Sequence, residues 1–325
     1  MMKIDVAVNS YKKPESLIYT LMTLKRVAGD MIDTVYINDD CSGDGTSSLY
    51  RHPDIINYFK PWKLDVRDNS ENVGIKQVYV RGYYPEYMNW KFMLKRWWRF
   101  FSKEYPHNRD DIRYQYAMDN TDKKYLFLLH DDVLFKKNII DVYLQTFAKN
   151  PELAIVGDFG QCWRCLFSEI CTPQKILTGT LPSPYWPLTP SEKNNDISDF
   201  NPKKGFTRAC RINEWCMMLD VNKAKEITEK SRSFIGNMYP HSDTGAYWFG
   251  MAVDLGYKFA DPLPMREVVN GETRKDYYQH QWQGHSGHSV WVDQGNGKAV
   301  YERQKIIDLI AEEFNFRLPE FRDIK

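Results

Sequence analysis

YLFLLHDDVLFKKNIID, residues 125–141, is the stretch whose reading decides the fold. Tyr125–Leu129 is an apolar run of five residues, short enough for a strand buried on both faces. It delivers His130, Asp131 and Asp132 to the point where such a strand should end. If 128–132 stays extended, His130 and Asp132 share one side and Asp131 points to the other, because side chains alternate along a strand. Two readings of the acids stand side by side. They can be surface residues capping a helix that begins near Lys137. They can also form a divalent-cation site, since hard carboxylate oxygens hold Mg²⁺ or Mn²⁺ and the ion then neutralises the phosphates of a nucleotide-linked substrate.

Working outward toward the N-terminus, residues 4–8 (IDVAV) read as a first buried strand, and 9–15 (NSYKKPE) as a loop leading into a helix. Pro14 suits a first helical turn, and Leu17, Leu21 and Leu24 follow on one face. A second strand over 34–38 runs into Asp39-Asp40-Cys41-Ser42-Gly43-Asp44-Gly45-Thr46. Strand, helix and strand in so short a span make a βαβ unit, which requires a parallel sheet with a right-handed crossover. Ligands of such sheets lie at the carboxyl ends of the strands, where both acidic pairs, 39–40 and 131–132, are expected. A turn rich in Asp, Ser and Gly also forms for local reasons alone.

The run VAVNSYKKPESLIYTLMTL followed by VYINDDCSGDGT resembles the opening of family 2 glycosyltransferases, enzymes of the GT-A nucleotide-sugar fold. The Asp-Asp-x-Ser-x-Asp-Gly-Thr turn is the specific part of the match. Asn72-Val73-Gly74 is similar to the family's Asn-x-Gly segment, and YLFLLHDDV occupies the place of its metal-binding Asp-x-Asp strand. The resemblance implies an α/β, Rossmann-like GT-A fold with a central, mostly parallel sheet flanked by helices. It implies a nucleoside diphosphate-sugar donor held by Ser10, Asp39, Asp40 and Asp131, and Mn²⁺ or Mg²⁺ held by Asp132, with His130 a departure from the usual first Asp. Imidazole suits Mn²⁺ better than Mg²⁺. The segment 234–243 followed by a helical pattern over 247–253 looks like the place where a family Asp opens a helix. This makes Asp243 the catalytic base, although Ser242 replaces the usual Glu. Asp is also a preferred helix cap, so a structural role competes with the catalytic one, and Glu214 and Asp254 are alternative bases. A C-terminal histidine completes the metal or diphosphate site in many GT-A enzymes, and His280, His285 and His288 put three of the seven histidines within nine residues. Spacing does not choose among them; His285 and His288 are the candidate ligands.

The domain expectation is a catalytic domain over 1–270, with insertions about 82–122 and 172–206, and a C-terminal extension over 271–325. In the first insertion, residues 90–103 interleave Trp, Phe, Met and Leu with Lys and Arg. Such a segment can lie at a membrane surface, where lipid-linked acceptors are found, or pack inward with its lysines reaching out. The second insertion is Pro-rich and reads as irregular chain. Residues 211–219 return to a strand-like pattern, and 305–314 to an amphipathic helix expected to pack on the sheet. A lone Cys162-Trp163-Arg164-Cys165 is a weak zinc signal, and the six cysteines read as reduced thiols.

Composition narrows the function classes. With 44 basic and 43 acidic residues, nothing argues electrostatically for nucleic acid as a partner. No apolar run reaches the ~18 residues of a membrane span, and the N-terminus enters a strand pattern at once, so the expected location is the cytoplasm, with the inner face of the membrane as an extension of it. The functional expectation is an inverting, metal-assisted glycosyltransferase that moves a sugar to a hydroxyl of a glycan or lipid-linked acceptor. The alternatives are a nucleotidyltransferase, disfavoured because residues 9–15 contain no Gly for a phosphate loop, and a transferase-like binding protein without chemistry.

Overall fold

The computed structural model describes residues 2–43, 45–74, 80, 83, 90, 94, 107–159, 211–237, 244–264, 268–280, 291–293 and 299–321. The chain adopts the expected fold class, a central sheet with helices on both faces. The sheet has seven strands in the order β3–β2–β1–β4–β7–β6–β8: β1 (Ile4–Ser10), β2 (Ile32–Asp39), β3 (Lys63–Asp68), β4 (Tyr125–Leu129), β6 (Leu153–Phe159), β7 (Ile212–Asp220) and β8 (Lys258–Ala260). Strands β3, β2, β1 and β4 run parallel; β7 is antiparallel to both its neighbours, and β8 is parallel to β6. A short strand β5 (Val133–Phe135) leaves this sheet and pairs with β9 (Tyr278–His280).

All five residues of β4 are buried, because β1 and β7 flank it and helices cover both its faces. This is why the run shows no polar alternation. Phe127 and Leu129 face a core built from α1 (Pro14–Ala28) and the helix Ile139–Lys149, with Leu17, Leu21, Tyr143 and Phe147. Leu126 and Leu128 face the opposite core with Tyr114, Met118, Ile227 and Trp248. Each such fully buried aliphatic or aromatic side chain stabilises the fold by about 1.5–3 kcal/mol. β7 is buried at all nine positions, so the pattern over 211–219 belongs to a central strand rather than a half-exposed one. It crosses β6 closely: a Cβ on Gly157 would lie 2.5 Å from the Cβ of Met217, so only glycine fits there.

Two local expectations are corrected. The helix beginning after Lys137 is capped by Asn138, whose Oδ1 accepts from the N–H of Asp141, and β5 stands between it and the acids; Asp131 and Asp132 therefore cap nothing there. The C-terminal helix, Arg303–Phe314, docks on α1 and not on the sheet. Tyr19 meets Phe314 edge-on at 6.1 Å, Arg26 pairs with Glu313 at 3.0 Å, and Ile306 and Ile310 are fully buried. It can do so because α1 is apolar on nearly all sides and needs a cover on the face turned away from the sheet.

Residues 107–120, at the end of the stretch read as a first insertion, contribute Ile112, Tyr114, Ala117 and Met118 to the core. Most of 90–103, all of 172–206 and Cys162, Cys165, Cys171 and Cys210 lie outside the described residues; Trp90 and Leu94 are exposed, and Cys41 and Cys216 are free thiols. Among the described residues no helix is long and apolar enough to cross a membrane.

Candidate functional site

The register brings the two acidic pairs to one edge of the sheet. Ser10 at the end of β1 pairs with Asp39 at the end of β2, and Val8 pairs with Leu129 at the end of β4. With neighbouring strands about 4.8 Å apart, Asp39 and the residues following Leu129 lie on the order of 10 Å from each other. Tyr50 stands between them. Its phenol is pushed far up by burial, and the charges of both Asp131 and Asp39 push it further.

The β2 end is tightly self-bonded. Asp39 is buried and accepts from the backbone N–H of Ser42 at 2.8 Å and from its hydroxyl at 2.7 Å, while the Ser42 hydroxyl also accepts from the N–H of Lys12. Asp40 accepts four hydrogen bonds: from the Asn69 amide and the Val73 N–H on Oδ1, and from the Asn72 amide and the Gly74 N–H on Oδ2, at 2.6–3.0 Å. Four donors fill the accepting capacity of a carboxylate, so Asp40 holds the loop 69–74 in place. Gly74 has a φ of +52°, a left-handed conformation that glycine adopts without strain. The hydroxyl of Ser10 is 2.5 Å from that of Tyr50. Tyr11, 42% exposed, presents an aromatic ring at the same edge.

The β4 end departs from the extended reading. The strand stops at Leu129, and Asp131 and Asp132 lie in the turn to β5, so the pleat does not set the direction of Asp132. Asp131 does lie on the α1 side: its carbonyl accepts from the Ser16 hydroxyl at 2.7 Å, and its Oδ1 is 3.2 Å from Lys13 Nζ. Burial raises the Asp131 carboxyl above its ordinary range, Lys13 opposes this, and the charge of Asp132 adds to it. His130 turns the other way. Its Nε2 is 3.6 Å from Glu214 Oε1, and its ring meets Trp215 edge-on. Burial would raise Glu214, but Arg211, whose Nη2 is 3.3 Å away, and His130 outweigh it and hold the carboxyl down at about 2. Arg113 donates to the hydroxyl of Thr244 at 3.4 Å, tying this region to the start of the helix Ala246–Asp254.

Asp243, His285 and His288 lie outside the described residues. His280, the last residue of β9, pairs with Val133, the residue after Asp132, so β9 ends beside the acidic turn. Asp254 is at the far end of a helix whose first residues approach Glu214, about 12 Å away at 1.5 Å per residue, and does not share the site. Among the described residues no three His, Cys, Asp or Glu side chains gather as a metal cage. A cage is not what Mg²⁺ or Mn²⁺ needs beside a nucleotide, because one or two carboxylates plus substrate phosphates suffice. The paired, buried carboxylates of Asp131 and Asp132, whose mutual repulsion a cation would relieve, fit such an ion.

Residues 274–278 are anchored to the sheet by buried charge. Arg274 pairs with both Asp158 and Asp261, and Asp158 also accepts from Trp215 Nε1 and the Tyr278 hydroxyl, each at 2.9 Å. One guanidinium serves two carboxylates, and burial, with the charge of Asp158, pushes Asp261 up to about 6 against the pull of Arg274. The folded form therefore binds this proton more tightly than the unfolded chain, whose Asp titrates near ~3.9. The stability this supplies is fully present below that pH and is lost as the pH rises through about 6. Urea unfolding of the wild type and Asp261→Asn between pH 4 and 7 should show the wild type losing about 1–3 kcal/mol relative to the variant. Parallel curves would mean that the proton is not held there.

The residues that sequence reading missed are Lys13, Arg113 and Tyr50. Arg211 and Glu214 carried a signal, two charges at the start of a mostly apolar buried strand, whereas nothing local marks Lys13 or Arg113.

No family model matches the chain, and no curated protein matches it either. Solved structures do. The mannosyltransferase PcManGT from Pyrobaculum calidifontis, in complex with GDP-Man and Mn²⁺, is 12% identical with a TM-score of 0.46, over 80% of this chain and 54% of that one. TarS 1–349 from S. aureus is 14% identical with a TM-score of 0.43, over 85% of this chain and 60% of that one. The chain thus spans little more than half the length of either.

Proposed function

We propose that the protein is an inverting glycosyltransferase of family 2 type that uses a nucleoside diphosphate-sugar. The observation that carries this reading is the meeting of Asp39 and the Asp131–Asp132 turn at one carboxyl edge of a parallel sheet, between them the β1 loop and the N-terminus of α1. In this reading Ser10, Asp39 and the Tyr11 ring receive the base and ribose, and Asp40 serves by fixing the loop 69–74 that borders them. Asp131 and Asp132, with His285 or His288, would hold Mn²⁺ or Mg²⁺ against the diphosphate, whereas His130, turned to Glu214, is not among its ligands. When bound, that ion supplies several kcal/mol of charge stabilisation to the leaving group. Asp243 takes the proton of an acceptor hydroxyl as its oxygen bonds to the anomeric carbon and the bond to the diphosphate breaks on the opposite face. A positioned base of this kind contributes typically 10²–10⁴-fold. Glu214 is the poorer base, because its partners hold it ionised with little affinity for a proton. The acceptor is a glycan or lipid-linked hydroxyl, and contact of 90–103 with the inner face of a membrane would bring the latter within reach.

Thermal denaturation with UDP-, GDP- and dTDP-sugars, each with and without Mn²⁺, tests this. One donor should raise the melting temperature in a cation-dependent way, since a ligand at a hundred times its Kd stabilises by about 2.7 kcal/mol. Slow release of the nucleoside diphosphate from that donor should follow. Pyrophosphate release would indicate nucleotidyl transfer instead, and binding without turnover a protein that only binds. No shift with any donor would remove the reading.

A further inference from the structure

The electrostatics of the acidic turn say more than that a cation fits. Lys13 is the residue immediately before α1, and its Nζ is 3.2 Å from Asp131 Oδ1 with a quarter of the side chain still exposed. It feels the charge of Asp132 as well as that of Asp131, and it feels the like charge of Arg113. Arg113 itself donates to the hydroxyl of Thr244. Glu214, between Arg211 and His130, belongs to a neighbouring cluster of charges. The charges that act most on Lys13 are therefore two carboxylates and one guanidinium, and with its own ammonium they sum to zero.

This balance has a chemical consequence. A divalent cation alone would raise the sum to about +2 and would have to displace an ammonium already seated on the carboxylate, in a partly desolvated place where like charges are costly. A nucleoside diphosphate-sugar carries about two negative charges on its diphosphate, so cation and diphosphate entering together restore neutrality while either alone does not. The lysine stem is unbranched and its ammonium is a point charge on rotatable bonds, so it can leave Asp131 and meet the phosphate without movement of the backbone.

Resting on the proposed function, we infer that Lys13 is the resident counter-ion of the Asp131–Asp132 turn, that a divalent cation displaces it, and that its freed ammonium pairs with the incoming diphosphate. Lys13 thereby makes cation and nucleoside diphosphate bind as a pair rather than independently.

The measurement is Mn²⁺ affinity, read from the free-ion electron paramagnetic resonance signal, in the full chain with and without UDP, GDP or dTDP. In the wild type Mn²⁺ alone should bind weakly, and the matching nucleoside diphosphate should tighten it by 10-fold or more. In Lys13→Met, which keeps the apolar stem, Mn²⁺ alone should bind roughly 10-fold tighter, while the enhancement by the nucleoside diphosphate should fall by a similar factor. Lys13→Arg should retain the coupling. A role in loop structure alone would weaken both affinities together, and Lys13→Gln, checked for an unchanged melting temperature, distinguishes that case. Unchanged or weaker Mn²⁺ binding in the folded Lys13→Met protein overturns the inference and leaves the proposed function standing. Absence of Mn²⁺ binding in the wild type with every nucleotide removes both.

Discussion

Asp132→Asn should abolish sugar transfer, by on the order of 10³-fold or more, with little loss of stability. The asymmetry follows from the electrostatics of the turn. Asp132 is 4% exposed and adds to the forces that push Asp131 up, so replacing its charge by an isosteric amide relieves repulsion in the folded state. What the amide cannot do is hold a hard cation as a carboxylate does. The expected pattern is a melting temperature within a few degrees of the wild type, no Mn²⁺-dependent stabilisation by the donor, and no turnover. Asp243→Asn should separate from it: turnover is lost, but cation-dependent nucleotide binding survives, because a base acts on the acceptor and not on the donor. Robust turnover in Asp132→Asn would place the cation elsewhere, and robust turnover in Asp243→Asn would require another base.

The largest expected effect on stability belongs to the other acidic pair. Asp40→Ala strips four donors of their acceptor at once, among them the buried backbone N–H of Val73 and the half-buried one of Gly74. Hydrogen bonds to a charged group contribute about 1.5–3 kcal/mol each, and an abandoned buried donor costs about 1–3 kcal/mol. Water reaching the opened loop recovers part of this, leaving a net loss of about 3–5 kcal/mol, or roughly 10 °C in melting temperature for a chain of this size. Asp39→Ala loses the two bonds to Ser42, which water replaces more readily, and should cost about 1–2 kcal/mol while removing nucleotide binding. Comparison of the two variants by thermal denaturation tests the assignment. An Asp40→Ala protein no less stable than Asp39→Ala would mean that loop 69–74 is held by something else.

Legibility in the sequence followed the range of the forces involved. β1, β2 and β4 are readable because a strand covered on both faces must be an unbroken apolar run, and the Asp-Asp-x-Ser-x-Asp-Gly-Thr turn because its glycines and acids satisfy backbone needs within a few residues. The same locality made Asp39 and Asp40 look equivalent. Their partners divide them: one closes its own turn, and the other reaches more than thirty residues along the chain to loop 69–74. The surface taken by the C-terminal helix was beyond reach for a related reason. Its amphipathic pattern states that one face must be buried but not against what, and α1, apolar on nearly all sides, claimed it.

The sequence by itself determined the α/β class, the parallel βαβ opening and the presence of two acidic pairs at strand ends, because hydrophobic periodicity and turn chemistry act between near neighbours. Only the tertiary structure decided that Lys13 faces Asp131, that His130 turns to Glu214, and that β9 pairs with the strand that follows Asp132. Those are pairings of charges and strands brought together by sheet order from 84 to 147 residues apart in the chain for the last two and 118 for the first, and Coulomb energy depends on distance in space, of which spacing along the chain carries no record.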